Sequence, residues 1–273
     1  MSDSSQPVEE EPVYKDGPRP YTLAVDIGGT GLKASVLDAN GNMVAPRVKI
    51  PTPYPNPPEQ LVASLSELVA SLPKAERASA GFPGMVRDGM VLTAPSFSCV
   101  QGTGSPVDPA LVEKWTRFNL SAELTKVFNI PTKVANDADI QSVAVVSGKG
   151  LELTVTLGTG FGTGMLYNGQ LLPHLEISHL IFRKNETFDQ QLGQAARKEI
   201  GNKRWNKRVL KAIDVMRTLM AFDHLYLGGG NSQHVLAETL PDDVTIVSNS
   251  AGILGGIDLW EPDHIGVHHD VDH

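Results

Sequence analysis

Residues 23–41 read LAVDIGGTGLKASVLDANG, and residues 155–169 read VTLGTGFGTGMLYNG. Each stretch is an apolar strand, a glycine-rich turn, a second strand and an Asn-Gly pair. Asn-Gly between apolar runs signals a hairpin. The two stretches lie about half a chain apart, which reads as an internal repeat of one supersecondary unit. Glycine removes the Cβ barrier, so each turn can bring backbone N–H groups close to an anion. Neither turn is a Walker loop, because G-x-x-x-x-G-K-[ST] is absent. Neither is a Rossmann fingerprint, because a hairpin and not a helix follows.

Around the first hairpin the pattern predicts strands at Leu23–Asp26, Ala34–Leu37 and Met43–Ile50, then a proline-rich loop. Apolar spacing predicts a helix over Leu61–Leu72, ending at Pro73. Ala78–Gly81 reads as a short buried strand, Pro95–Pro109 as irregular, Leu111–Phe128 as helical and Thr132–Val134 as a strand. In the second half, Glu152–Leu157, residues 165–167 and residues 170–172 read as strands. Asp189–Phe222 is a helical zone, and the strand His224–Leu227 runs into Gly228-Gly229-Gly230. Ala251–Leu259 reads as a small-residue helix whose glycines allow close packing.

The chain has 273 residues, which suits one large domain or two small ones, with 41% hydrophobic and 20% charged residues. The net charge of −8 argues mildly against a general nucleic-acid binder. Cys99 is the single cysteine, so no disulfide forms within the chain and no cysteine-rich zinc site is expected. This suits a reducing cytoplasm. No run of 18 apolar residues exists, so no membrane span is expected. Residues 1–20 are acidic and proline-rich without an apolar segment, and read as a disordered tail and not a signal peptide.

The motifs DIGGTGLK (26–33), GFPGMV (81–86), VANDAD (134–139), LGTGFGTG (157–164) and LGGG (227–230), in this order, resemble the sugar-kinase branch of the actin-like ATPases. More narrowly they resemble the ROK family, and within it the polyphosphate glucokinase group, over about residues 21–260. The resemblance implies two pseudo-duplicated α/β domains of actin-like (ribonuclease H-like) fold with a cleft between them. The expected division is residues 21–134 and 135–250, with a helix at 251–262 packing back on the first domain and a tail at 263–273. It implies phosphoryl transfer from polyphosphate, ATP or both to the 6-hydroxyl of glucose or a similar hexose. A homodimer is what the family suggests; no nucleic acid or membrane partner is implied.

Carried over by motif, Asp26, Gly28, Gly29, Thr30 and Lys33 form the first phosphate loop, and Gly158, Thr159 and Gly160 the second. Gly228, Gly229 and Gly230 lie where the adenosine or the far end of a phosphate donor rests. Asp26 acts on Mg²⁺ through water, since Mg²⁺ keeps several waters and leans on phosphate oxygens. The acid after Asn136, Asp137, is the general base, in a reaction that depends on positioning and charge neutralisation. Taken alone, an aspartate there reads first as a helix N-cap; the constellation of motifs is what points to the base. Asn136 is expected to bind a sugar hydroxyl, and Asp139 to be structural or in the Mg²⁺ shell. Glu176 and His179, three apart, can hydrogen-bond adjacent sugar hydroxyls, although such a pair is also an ordinary polar feature. Glu186 is the expected third sugar ligand, and Gly84 brings backbone near the sugar. Two departures stand out: Ser96 occupies the place of a sugar-contacting Asn, and Ser178 that of a glycine. His174 and His179 do not form H-E-x-x-H, and no structural zinc is expected.

Arg183–Lys211 carries nine basic against three acidic residues in a chain of net negative charge. Such a stripe can track a polyanion such as polyphosphate, or be a solvated helix face. Trp205 in its midst can be a packing anchor. Two alternatives to an enzyme remain. A repressor of the same family needs a helix-turn-helix module ahead of the kinase-like part, and only twenty residues, acidic in balance, precede Tyr21. A non-catalytic sugar-binding or regulatory member, with an altered 95–109 loop, is the other.

Overall fold

The computed structural model describes residues 14–247 and 255–260. Residues 1–13 of the expected N-terminal tail, the expected 263–273 tail and half of the expected 251–262 helix therefore lie outside the described residues, while Tyr14 and Lys15 of the expected tail hydrogen-bond to Ser71 O and Val44 O. In the first half the elements are β1 (Thr22–Ile27), β2 (Gly31–Leu37), β3 (Val48–Pro51), α1 (Pro58–Val69), β4 (Arg77–Phe82), β5 (Val86–Arg87) and β6 (Met90–Val91). They continue with α2 (Pro109–Trp115), β7 (Phe118–Asn119), α3 (Leu120–Phe128), β8 (Thr132–Asn136) and α4 (Asp137–Val143). The second half holds β9 (Leu151–Leu157), β10 (Phe161–Tyr167), β11 (Gln170–Leu171), β12 (Ile181–Arg183), β13 (Glu186–Thr187), α5 (Phe188–Leu192), α6 (Gln194–Ile200) and α7 (Asn202–Met220). It closes with β14 (His224–Gly228), β15 (Val244–Ile246) and α8 (Gly255–Asp258).

The repeat seen in the sequence is a repeat of topology. One sheet has the order β3-β2-β1-β4-β8, the other β11-β10-β9-β14-β15. In each, the first three strands in sequence are an antiparallel meander. In each, the remaining two strands add in parallel on the far side of the first. Each sheet has its own apolar core. Leu23, Val25, Ile27, Leu61, Leu65, Phe82 and Trp115 fill the first, and Leu153, Val155, Leu157, Trp205, Val209 and Ile213 the second.

Local chemistry moved several boundaries. The expected Met43–Ile50 strand is reduced to an isolated bridge between Leu37 and Met43, with β3 starting only at Val48. Pro46 lies between them and has no N–H for a ladder. Pro57 caps α1 and Pro58 opens it, pre-organised for the first turn, so the helix starts earlier than predicted. The predicted helix 111–128 is split: Arg117 has φ of +60°, β7 pairs with β6, and Asn119 caps α3 through Ala122 N–H. Gly193 and Gly201 cut the 189–222 zone into three helices. The strand expected at 165–167 starts at Phe161, through Gly162 and Gly164.

Trp205 is the packing anchor. It is fully buried, and its indole N–H donates to Leu192 O at 2.8 Å. Opposite it on α7, Lys203, Arg204, Lys207 and Lys211 face solvent.

The two glycines of β10 serve the helix that crosses it. A Cβ on Gly164 would lie 2.0 Å from Ser142 Oγ and 3.2 Å from Ala138 O, and one on Gly162 would lie 3.1 Å from Ala138 Cβ. α4 therefore lies directly on the second sheet. On its other side, a Cβ on Gly255 of α8 would stand 1.7 Å from Ile140 O. Gly164→Ala should overpack this contact and cost about 2 kcal/mol, lowering Tm by roughly 4–8 °C. At Gly158 an added Cβ meets nothing within 4 Å. Gly158→Ala should accordingly leave Tm nearly unchanged, and equal losses in both variants would contradict the packing account.

Candidate active site

Both glycine turns are held from behind. In the first, Ile27 pairs with Leu32 and the Gly28 N–H donates to Gly31 O at 3.0 Å. Thr52 Oγ donates to Gly28 O at 2.6 Å and Tyr54 OH to Gly29 O at 2.8 Å. The proline-rich loop thus ties down the carbonyls, while the Gly29 and Thr30 N–H groups have no acceptor among the described residues. In the second, Leu157 pairs with Phe161 and the Gly158 N–H donates to Gly160 O at 3.0 Å. Gly158 O accepts from Gln194 N–H (3.0 Å) and from Asn231 Nδ2 (2.7 Å). Asp189 Oδ1 accepts from the Phe161 N–H at 2.8 Å. The Thr159 and Gly160 N–H groups are left without acceptors among the described residues. Successive free N–H groups of this kind make anion-binding concavities.

The Gly228–Gly230 turn packs against the second loop. Gly229 has φ of +85°, and a Cβ there would sit 2.4 Å from Leu157 O, so only glycine fits. Asn231, next in sequence, reaches Gly158 and in turn accepts from Arg197 Nε at 3.1 Å. Sequence reasoning missed Thr52, Tyr54, Asp189 and Asn231. Asn231 had a signal in its place directly after the triple glycine; the others act across long sequence separations.

Asp26 and Lys33 are register partners on β1 and β2, and form an exposed ion pair at 2.9 Å. Asp137 opens α4 at the end of β8. Burial pushes the Asp137 carboxyl up to about 6; the Ala138 N–H opposes this, and the charges of Asp26 and Asp139 add to it. A carboxylate tuned in this way is suited to general base work near neutral pH.

Asn136 is the N-cap of α4. Its Oδ1 accepts from Ala138 N–H at 2.8 Å, and its Nδ2 donates to Gly84 O at 2.9 Å. Much of its polar capacity is therefore spent inside the protein, leaving one N–H and one lone pair. Gly84 is required by close approach, since a Cβ would lie 2.2 Å from Thr93 O. The 95–109 segment is anchored by buried Phe97, stacked on Trp115 and tilted against Phe82. Ser96 Oγ pairs with Thr103 Oγ1 at 2.8 Å and stands against Gly29.

Glu176 and His174 form a cluster with Asp139 that sequence reasoning did not assemble. His174 Nδ1 is 2.9 Å from Asp139 Oδ1, with both side chains buried, and its Nε2 is 3.8 Å from Glu176 Oε2. Ser178 Oγ donates to Glu176 Oε1 at 2.6 Å. His174 holds Glu176 below the usual carboxylate range against the effect of burial, and His179 nearby acts in the same direction. His179 itself is exposed. Asp139 thus has a structural partner in His174. Glu186 stands apart: its carboxylate accepts from Gln191 Nε2 and lies near Arg208. Among the described residues no hydrogen bond or ion pair joins this expected third sugar ligand to Glu176, His179 or Asp137.

Among the described residues no group of three or more His, Cys, Asp or Glu side chains is arranged to hold a metal ion. Mg²⁺, however, needs only one or two carboxylates when phosphate oxygens and water complete its shell. The single exposed Asp26 carboxylate, beside a turn with open N–H groups, fits that requirement.

Burial works to lower the His174 pKa, but Asp139 and Glu176 carry it from the ordinary 6.5 up to about 9. A raised cationic pKa stabilises the fold fully below about pH 6.5, and this contribution is lost as pH rises through about 9. An NMR titration of the His174 ring is expected to show its midpoint near 9; a midpoint below the ordinary 6.5 would contradict the pairing.

The ROK family model matches residues 22–176. The polyphosphate glucokinase of Mycobacterium leprae (strain TN) is 28% identical over 252 residues, covering 85% of this chain and 72% of that protein. The N-acetylmannosamine kinase of Escherichia coli (strain SE11) is 33% identical over 156 residues, covering 55% of this chain and 49% of that protein. The crystal structure of the inorganic polyphosphate/ATP-glucomannokinase from Arthrobacter sp. strain KM superimposes with a TM-score of 0.71 at 26% identity, over 90% of this chain and all of that one. The two matching sheets are the halves of the actin-like fold, and the chain belongs to the ROK family.

Proposed function

We propose that this protein transfers a phosphoryl group from polyphosphate or ATP to the 6-hydroxyl of glucose or a similar hexose, with Asp137 as general base. The observation that carries this reading is Asp137 itself. It is a carboxylate raised to about 6 by burial, at the first residue of the helix lying between two sheets that each end in a glycine turn with open N–H groups. Phosphoryl transfer needs a base to orient the hydroxyl and donors to take up phosphate charge. The relatedness to a polyphosphate glucokinase and a polyphosphate/ATP-glucomannokinase supports the same substrate classes.

In this reading Glu176 and His179 hold hydroxyls of the sugar, with Gly84 and the remaining valences of Asn136 beside them. Asp137 accepts the proton of the attacking hydroxyl. The N–H groups of Gly29, Thr30, Thr159 and Gly160 hold the donor's phosphate oxygens, and Lys33 adds a positive charge to the first loop. Asp26 would hold Mg²⁺ through water, and that ion would neutralise charge on the transferred phosphate. Gly228–Gly230 bounds the far side of the donor site.

The basic face of α7 supports a polyanionic donor. Lys203, Arg204 and Lys207 are exposed at its start, where Arg197 joins Asn202 on α7 to Asn231 and through it to Gly158. No described helix is long and apolar enough to cross a membrane.

Asp137→Asn should abolish sugar-phosphate formation in a folded protein. In the wild type, kcat/KM for the sugar should fall as pH drops through about 6, because the base form is then lost. Substantial turnover by the variant removes Asp137 as the base. If no hexose is phosphorylated by any donor while glucose still binds, the protein is a non-catalytic sugar binder. Neutralising Lys203, Arg204, Lys207 and Arg208 together should raise the KM for long polyphosphate several-fold and flatten its salt dependence. The KM for ATP should change little; equal changes for both donors would exclude a polyphosphate track on α7.

A further inference from the structure

A buried histidine, His174, lies among the acids around the start of α4. His174 follows β11 in sequence, in the segment that leads to Glu176. Its side chain is only 3% exposed, against 4% for Asp139 and 24% for Glu176. Asp139 and Asp137 face this place from α4, and Glu176 and His179 from the segment of His174 itself. Asp26 on β1 acts on Asp137 from the first sheet.

We propose that His174 is a positioning residue that couples the helix of the catalytic base to the sugar-holding acid. The proposal rests on the roles given above to Asp137 and Glu176. Through Nδ1–H, His174 fixes Asp139, which stands in the first turn of α4 two residues after Asp137. Through Nε2–H it faces Glu176, whose other oxygen is held by Ser178. One ring therefore spans the two elements whose separation sets the distance from base to sugar.

Nε2 is the telling atom. It is buried and has no hydrogen-bond partner. A buried donor left unpaired is costly, and natural structures keep few of them. Its nearest acidic oxygen, on Glu176, is at 3.8 Å, beyond hydrogen-bond length. A small movement of Glu176 would close that gap. Glu176 taking up a sugar hydroxyl is such a movement, so sugar engagement and completion of the His174 pairing become one event. The neighbouring residues keep the ring in place: Thr163 Oγ donates to Leu175 O at 3.1 Å, and Ile177 is buried in the second core.

The test compares His174→Asn with His174→Leu in the full chain, measuring sugar KM, donor KM and kcat, with glucose affinity by calorimetry and Tm alongside. Asn keeps a donor where Nδ1 stood and loses the one facing Glu176. It is expected to raise sugar KM and weaken glucose binding about tenfold, with donor KM and kcat close to wild type. Leu also strips Asp139 of its partner and is expected to lower kcat about tenfold more. If Leu fails to fold, the Asn variant decides alone. A lowered Tm with unchanged sugar KM in the Asn variant overturns the proposal, as does an equal change in sugar and donor KM. Asp137→Asn run in parallel separates the two levels. Full activity there removes the underlying reading, whereas an inactive Asp137→Asn beside unaffected His174 variants removes only the coupling role.

Discussion

The approach of α4 to its neighbours governs this molecule. The helix begins at the end of a strand in the first sheet and lies on the second, and glycine meets it on two sides. Gly162 and Gly164 lie beneath Ala138 and Ser142, and Gly255 against the carbonyl of Ile140. A methyl group at Gly164 or Gly255 would stand about 2 Å or less from an α4 atom. Close packing tolerates no such insertion without displacement. The position of Asp137 relative to both glycine turns follows from these contacts, because Asp137 is the first residue of that helix.

Charge is distributed around this helix with little compensation. Asp26 and Asp139 both act on Asp137, and Glu176 acts on Asp139; the paired cations among these acids are Lys33 and His174. Lys33 is exposed and pairs with exposed Asp26, so that ion pair is worth little to stability. His174 is buried, and its charge acts at low dielectric, where it restrains both Asp139 and Glu176. Asp137 forms no ion pair among the described residues and feels the charge of His174 only weakly, so burial dominates its pKa. A carboxylate raised toward neutrality is the condition under which it can take and release a proton.

The glycine turns show how much of this was legible in advance. Hairpin, turn and Asn-Gly signal appear twice in the sequence, and the two sheets repeat the same strand order. The assignment of glycines was less complete. Of the five residues Gly160–Gly164, only Gly160 belongs to the open turn, and Gly162 and Gly164 serve helix packing. One-dimensional pattern does not separate these uses, since both require only the absence of Cβ. Similarly, the Pro95–Pro109 stretch has no periodicity, and its order comes from Phe97 stacking on Trp115 and Phe82, partners distant in sequence. Glu186 follows a two-residue turn at Lys184-Asn185 with positive φ at both, and its carboxylate accepts from Gln191 near Arg208, contacts that no local pattern encodes.

By itself the sequence determined the duplicated architecture, the two anion-ready turns, the base at Asp137 as an expectation, and the basic face opposite a packed Trp205. These are local properties: periodicity, turn chemistry and residue type act over a few neighbouring positions. Only the tertiary structure decided that Asn136 is spent as a cap and a latch on Gly84, that Thr52 and Tyr54 hold the first loop, and that His174 joins Asp139 to Glu176. The His174–Asp139 pair spans 35 residues and Thr52 to Gly28 spans 24. Such contacts depend on where whole strands and helices come to rest, and no local pattern in the chain encodes that separation.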